Sequence, residues 1–141
     1  HIVSADEGRP IELAQLSAGL RHLEQRVEWL LVEGAGGWFT PLSEQHTFAD
    51  WVQQEQLPVI LVVGIRLGCI NHAVLTAQAI RQAGLPLVGW IANDVCAPGR
   101  RHQEYMATLR RMLPAPLLGE IPHLPEAERQ ALGQYLDLSV L

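Results

Sequence analysis

The chain has 141 residues, 48% of them hydrophobic and 18% charged, which is enough apolar material for one globular core. Its net charge of −5, with no Lys/Arg cluster beyond a pair, argues against nucleic acid as a partner, and no apolar run approaches bilayer length. Cys69 and Cys96 form neither a CxxC pair nor a disulfide framework, which suits a reducing cytoplasm. No signal peptide opens the chain, and a start at His1 without methionine points to part of a longer protein.

His1 to Arg9 reads as an irregular polar entry, after which Pro10 suits a first helical turn. Leu13, Leu16, Leu20, Leu23 and Val27 recur at spacings of three and four, the apolar face of a helix. Trp29-Leu30-Leu31-Val32 reads as a buried strand, because a strand covered on both faces need not alternate. Thr47 and Asp50 have the spacing of a capping box, opening a short helix with Phe48, Trp51 and Val52 inward. Leu57 to Gly64 predicts a second strand, and Gly68 to Ala83 a helix burying Ile70, Ala73, Val74, Ala77 and Ile80, stopped by Gly84. Leu85 to Ala92 is a third strand, ending at Asn93-Asp94. After Pro98 and Gly99 a helix carries Tyr105, Met106, Leu109, Met112 and Leu113 on one side. Pro116 to Pro122 is a fourth strand, followed by a short polar helix near Glu126 to Gln130 and an apolar end, Tyr135 to Leu141.

Alternation of strands and helices with short loops predicts an α/β fold: three layers, a parallel sheet with helices on both faces. In such sheets ligands bind at the strand C-termini. The polar residues fall there: Glu33, the loop after Gly64, Asn93-Asp94 and Pro122-His123. Glu33 ends the first apolar run and leads into Gly34-Ala35-Gly36-Gly37. A carboxylate so placed can serve as a hard oxygen ligand for Mg²⁺ beside phosphates, and the glycines leave the backbone open to them. The chain has no G-x-x-x-x-G-K-[S/T] and no lysine at all, so a phosphate-transfer site is incomplete within it. His22, His46, His72 and His102 show no metal spacing and read as surface or core residues. Gly68 to Asn71 opens a helix whose free N–H groups suit an anion, with Asn71 and the Tyr105 hydroxyl as further donors, although the residues alone slightly favour Asn71 as a helix cap and Tyr105 as a packing residue.

Five stretches carry a resemblance: Val32-Glu33-Gly34-Ala35-Gly36-Gly37-Trp38, Pro58 to Gly64, Leu67-Gly68-Cys69-Ile70-Asn71-His72, Trp90-Ile91-Ala92-Asn93-Asp94 and Leu118-Gly119-Glu120-Ile121-Pro122. In order and spacing they resemble the dethiobiotin synthetase family of biotin biosynthesis, over essentially the whole chain. The resemblance implies that residues 1–141 are the C-terminal two-thirds of a single P-loop NTPase-like domain. The family's P-loop, catalytic lysine and a further Mg²⁺-binding aspartate would lie upstream. No catalytic residue is then expected in this chain, and the chain by itself is expected to be inactive.

The implied reaction is an ATP-dependent ring closure. CO₂ adds to an amine of 7,8-diaminononanoate, ATP phosphorylates the carbamate, and the second amine closes the ureido ring. Glu33 is carried over as an Mg²⁺ ligand, with Glu33, Gly34, Ala35 and Gly36 at the phosphates of ATP. Asn93 reads the adenine through its amide, with Asp94 beside it; Pro122, His123 and Leu124 wall the base. Glu128, or Glu126 in its place, lies near it. Leu67, Gly68, Cys69, Ile70, Asn71 and Tyr105 hold the substrate carboxylate from the partner subunit of a homodimer. A cytoplasmic enzyme is implied. Outside the resemblance, a related P-loop amidoligase or partition-type ATPase shares the strand, the Glu and the glycine loop but not Leu67 to Asn71. A non-catalytic nucleotide-binding or dimerising fragment is the other alternative. A Rossmann dehydrogenase fails on spacing, for Gly34 to Gly37 is not G-x-G-x-x-G.

Overall fold

The computed structural model describes residues 1–126 and 130–141, which form two compact units, His1–Leu57 and Pro58–Leu141. No helix among the described residues is long and apolar enough to cross a membrane.

The first unit is helical: α1 (Ile2–Asp6), α2 (Leu13–Glu24) and α3 (Phe48–Glu55). The entry segment is thus partly helical rather than irregular. A single turn closes there on local bonds, such as Ala5 N–H to His1 O at 2.9 Å. The apolar spacing in α2 does its work at Leu20, which is buried with Leu42 and Trp51, while Leu13, Leu16, Phe48 and Val52 pack around them. The helix stops at Glu24, so Val27 lies beyond it and is exposed. Trp51 Nε1 donates to Ser17 Oγ at 3.1 Å, and that hydroxyl donates to Glu55, which also meets Arg21, whereas the buried Trp38 Nε1 has no hydrogen-bond partner among the described residues.

The expected capping box is present in full. Thr47 N–H donates to Asp50 Oδ2 at 2.6 Å, and Asp50 N–H returns to Thr47 Oγ1 at 3.4 Å. The Thr47 N–H and the Thr47 hydroxyl, which donates to Asp50 Oδ2 at 2.8 Å, hold the Asp50 carboxyl below its ordinary value, so their contribution is present at neutral pH and fades as acid protonates Asp50. Thr47→Ala is expected to destabilise the folded state by about 1 kcal/mol, read from the midpoint of urea unfolding.

The strand expected at Trp29 to Val32 does not form. The segment is extended coil, with Trp29 76% and Leu31 84% exposed and Leu30 alone turned into the apolar cluster. Apolar patterning supplies a strand's faces but not its hydrogen-bonding neighbour, and among the described residues nothing pairs with this backbone.

The second unit is α/β. Strands β1 (Val59–Gly64), β2 (Leu87–Asn93) and β3 (Leu117–Ile121) make a parallel sheet in the order β1-β2-β3. Helices α4 (Cys69–Gln82) and α5 (His102–Met112) supply the crossovers. Register puts Leu61 beside Trp90 and Val63 beside Ala92, and these residues form one core with Ala73 and Ala77 of α4 and Met106 and Leu109 of α5. Trp90, Ile80, Met106, Leu109 and Leu118 are fully buried. Gly84, at φ +75°, ends α4 as its sequence position predicts.

Gly119 is required by a close approach. A Cβ there would land on the Tyr135 carbonyl, where a 3₁₀ turn (Leu132–Tyr135) brings Leu136 into an antiparallel bridge with Gly119. The polar helix expected near Glu126 to Gln130 falls partly on residues 127–129, outside the described residues. β1 is an edge strand: among the described residues no ladder runs along its outer side.

Candidate functional site

A parallel ladder aligns strand ends, and the register does so here. Gly64 pairs with Asn93, and Asn93 with Ile121, so the three C-termini form one row. The residues that follow are tied to that row: Ile65 N–H donates to Asn93 O at 2.8 Å, and Asp94 N–H to Ile121 O at 2.9 Å. Asn93 is half-buried there, and Pro122, His123 and Leu124 leave β3 at the same edge, His123 exposed. Glu128 lies outside the described residues. Glu126 is exposed, with φ +55°.

In the first unit, Glu33 to Gly37 form an exposed turn. Gly36 has φ +80°, and a side chain there would strike Thr40. Thr40 Oγ1 accepts the Gly37 N–H at 2.7 Å, and Thr40 N–H donates to Gly37 O at 3.0 Å, so the turn is closed on itself. Glu33 takes part in none of the ion pairs among the described residues.

Within the second unit, the residues between β1 and α4 do come together with α5. Leu67, Gly68, Ile70, Asn71, Val74, Tyr105 and Met112 line an open cleft of about 440 Å³ whose walls are mainly apolar. Gly68, at φ +92°, caps α4 and turns the chain into the helix. One detail differs from the sequence expectation of free N–H groups throughout Gly68 to Asn71. Cys69 N–H donates to Arg66 O at 3.0 Å, because the entry to α4 is a tight turn, and the Cys69 side chain is buried in the core. Cys69 therefore has no side chain to offer a ligand. Ile70 and Val74, read as inward, are only half-buried because they face the cleft, and Met112 is 46% exposed.

The arrangement also holds a group that spacing did not disclose. His102 Nε2 lies 2.8 Å from Asp94 Oδ1 and 3.6 Å from Glu120 Oε1. Arg110 Nη2 lies 3.5 Å from Glu120 Oε2. Among the described residues these three, Asp94, His102 and Glu120, are the cluster with the donor types of a metal site. Nothing local in sequence joins Glu120 to His102; the crossover of α5 does.

A family model described as an AAA domain (AAA_26) matches residues 1–131. The chain is 74% identical over 142 aligned residues to a protein of Serratia marcescens named ATP-dependent dethiobiotin synthetase BioD. It is 70% identical to the Escherichia coli K12 protein named ATP-dependent dethiobiotin synthetase BioD 1, and 72% identical to the Salmonella typhimurium protein of that name. All of this chain is covered in each comparison. It spans 63%, 63% and 62% of those relatives' lengths.

Proposed function

We propose, for a chain that belongs to the AAA-domain family, that its protein carries out the ATP-dependent synthesis of dethiobiotin. The observation that carries this reading is 74% identity to a protein so named, sustained over the full chain. The substrates are then 7,8-diaminononanoate, CO₂ and ATP, and the products form by ring closure through a carbamic-phosphoric anhydride. Lysine is absent from these 141 residues, so the machinery for moving the phosphoryl group is incomplete in them, and the activity is assigned to the longer protein. Free Cys69 and Cys96 agree with a cytoplasmic location.

Each residue has a role its chemistry permits. Glu33, exposed and outside the ion pairs of the described residues, fits Mg²⁺: one carboxylate joined by phosphate oxygens and waters is the ion's usual shell. When bound, Mg²⁺ supplies neutralisation of charge on the phosphates. Gly34, Ala35 and Gly36 present backbone to the nucleotide without side-chain obstruction. The half-buried Asn93 offers an amide with one donor end and one acceptor end, which suits the edge of adenine. Asp94, Pro122, His123 and Leu124 stand at the same strand ends.

The cleft of Leu67, Gly68, Ile70, Asn71 and Tyr105 suits a long diamino acid at both levels. Its apolar walls accept the aliphatic chain, and Asn71, the Tyr105 hydroxyl and the start of α4 accept the terminal carboxylate. We place that carboxylate in the cleft of one subunit and the nucleotide chemistry on the other, in a two-fold homodimer.

The test is direct. The complete protein, given ATP, Mg²⁺, bicarbonate and 7,8-diaminononanoate, should form dethiobiotin, detectable by mass. Asn71→Asp should raise KM for the diamino acid by about tenfold, since a second carboxylate replaces a donor to the first. Absence of dethiobiotin overturns the function; an unchanged KM removes the cleft from it.

A further inference from the structure

Asp94 is the buried charged side chain of the described residues, at 5% exposure. Taking a carboxylate out of water is costly unless it is paired and hydrogen-bonded. Its partner is His102, itself largely enclosed, with 10% side-chain exposure. An ionised carboxylate only accepts, so the 2.8 Å contact requires the proton on His102 Nε2. The second carboxylate near Nε2, Glu120, is held by Arg110 two turns along the same helix. Those partners satisfy the donor set of a metal site without an ion, because Nε2 already carries a proton and Glu120 already faces a guanidinium.

The position of His102 gives this pair a consequence. It is the first residue of α5, whose N-cap, Arg101, makes no side-chain cap bond. Residues at i and i+3 share a helix face, which relates His102 to Tyr105 in the cleft. On the other side of the bond, Asp94 directly follows Asn93 and is anchored to β3 through its own N–H. One hydrogen bond therefore joins the end of β2 to the start of α5, across the loop that contains Pro98 and Gly99.

We propose that His102 is a positioning residue: by donating Nε2–H to Asp94 it fixes Asn93 at one end and Tyr105 at the other. This rests on the assignment of Asn93 to the base and Tyr105 to the substrate carboxylate. His102 touches neither ligand. It acts by holding the two contacts in the geometry at which each binds, so its loss is felt in both binding constants together.

The experiment uses the full-length enzyme and compares His102→Asn with His102→Gln. A Gln amide nitrogen reaches about as far as Nε2, whereas an Asn amide reaches only as far as Nδ1. His102→Asn should raise KM for ATP and for the diamino acid about tenfold each, and erode preference for ATP over CTP and GTP by a similar factor, the loss expected for an unpaired buried polar group. kcat should change less. His102→Gln should return all three readings to within about threefold of wild type.

If both variants behave alike, or if His102→Asn leaves KM and base preference unchanged, the proposal fails. Should His102→Asn not fold, His102→Gln alone decides: all three readings within about threefold of wild type support the bond from the Nε2 position, and a tenfold loss in any of them sinks the idea. Asn93→Ala and Tyr105→Phe serve as the separating controls. If neither alters its own KM, the assigned contacts are wrong; if both do and His102→Asn does not, only the positioning role is wrong.

Discussion

Exchanging Glu33 for Gln in the complete enzyme should lower turnover at least about a hundredfold, the usual loss for one electrostatic group aimed at developing charge. The substitution keeps the size of the side chain and removes one negative oxygen. A hard divalent ion discriminates strongly between a carboxylate and an amide oxygen. Because Glu33 is exposed and holds no ion pair among the described residues, the fold should be indifferent to the change. Thermal unfolding without ligand should match wild type, and the apparent affinity for Mg²⁺ should weaken. Near-normal turnover at saturating Mg²⁺ would take Glu33 away from the metal.

Two inactive variants should restore each other when their subunits exchange. One carries Glu33→Gln; the other carries Asn71→Ala with Tyr105→Phe. An isologous dimer repeats the same contact twice, so each mixed dimer assembles one site from two damaged halves and one from two intact halves. At full exchange about a quarter of wild-type activity should return, because half of the dimers are mixed and each holds one sound site of two. If mixing restores nothing, the carboxylate and the nucleotide are handled by one subunit, and the shared-site reading is wrong.

What the sequence made legible was what is local. The capping box at Thr47 and Asp50, the stop at Gly84, the three strands of the second unit and their common C-terminal row follow from spacing, turn chemistry and short connections. Leu67, Gly68, Ile70, Asn71 and Tyr105 of the cleft were legible through resemblance and the chemistry of a helix start; Cys69, read with them, is buried in the core, and the apolar walls Val74 and Met112 were not read as part of the cleft. Val74 was read as inward and Met112 only as part of the apolar side of its helix, since periodicity tells which side of a helix is apolar but not whether that side is fully covered.

The segment Trp29 to Val32 misled for a related reason. Four apolar residues specify burial, and burial depends on neighbours the pattern does not contain. His102 was passed over because its partners, Asp94 and Glu120, lie on two other strands' ends, and only the α5 crossover assembles them.

The open side of β1 has a bearing on how these 141 residues behave in a tube. Val59-Ile60-Leu61-Val62-Val63-Gly64 is an uncharged, β-branched segment with unpaired backbone along one margin among the described residues, and Val62 is 57% exposed. Proteins ordinarily blunt such margins with lysine, proline or a covering element; here there is no lysine anywhere. A second chain can add its own strand to that margin, and stretches of this composition stack readily into fibrils. A charge placed at Val62 is therefore expected to raise the solubility of the isolated chain, read as the concentration at which light scattering sets in.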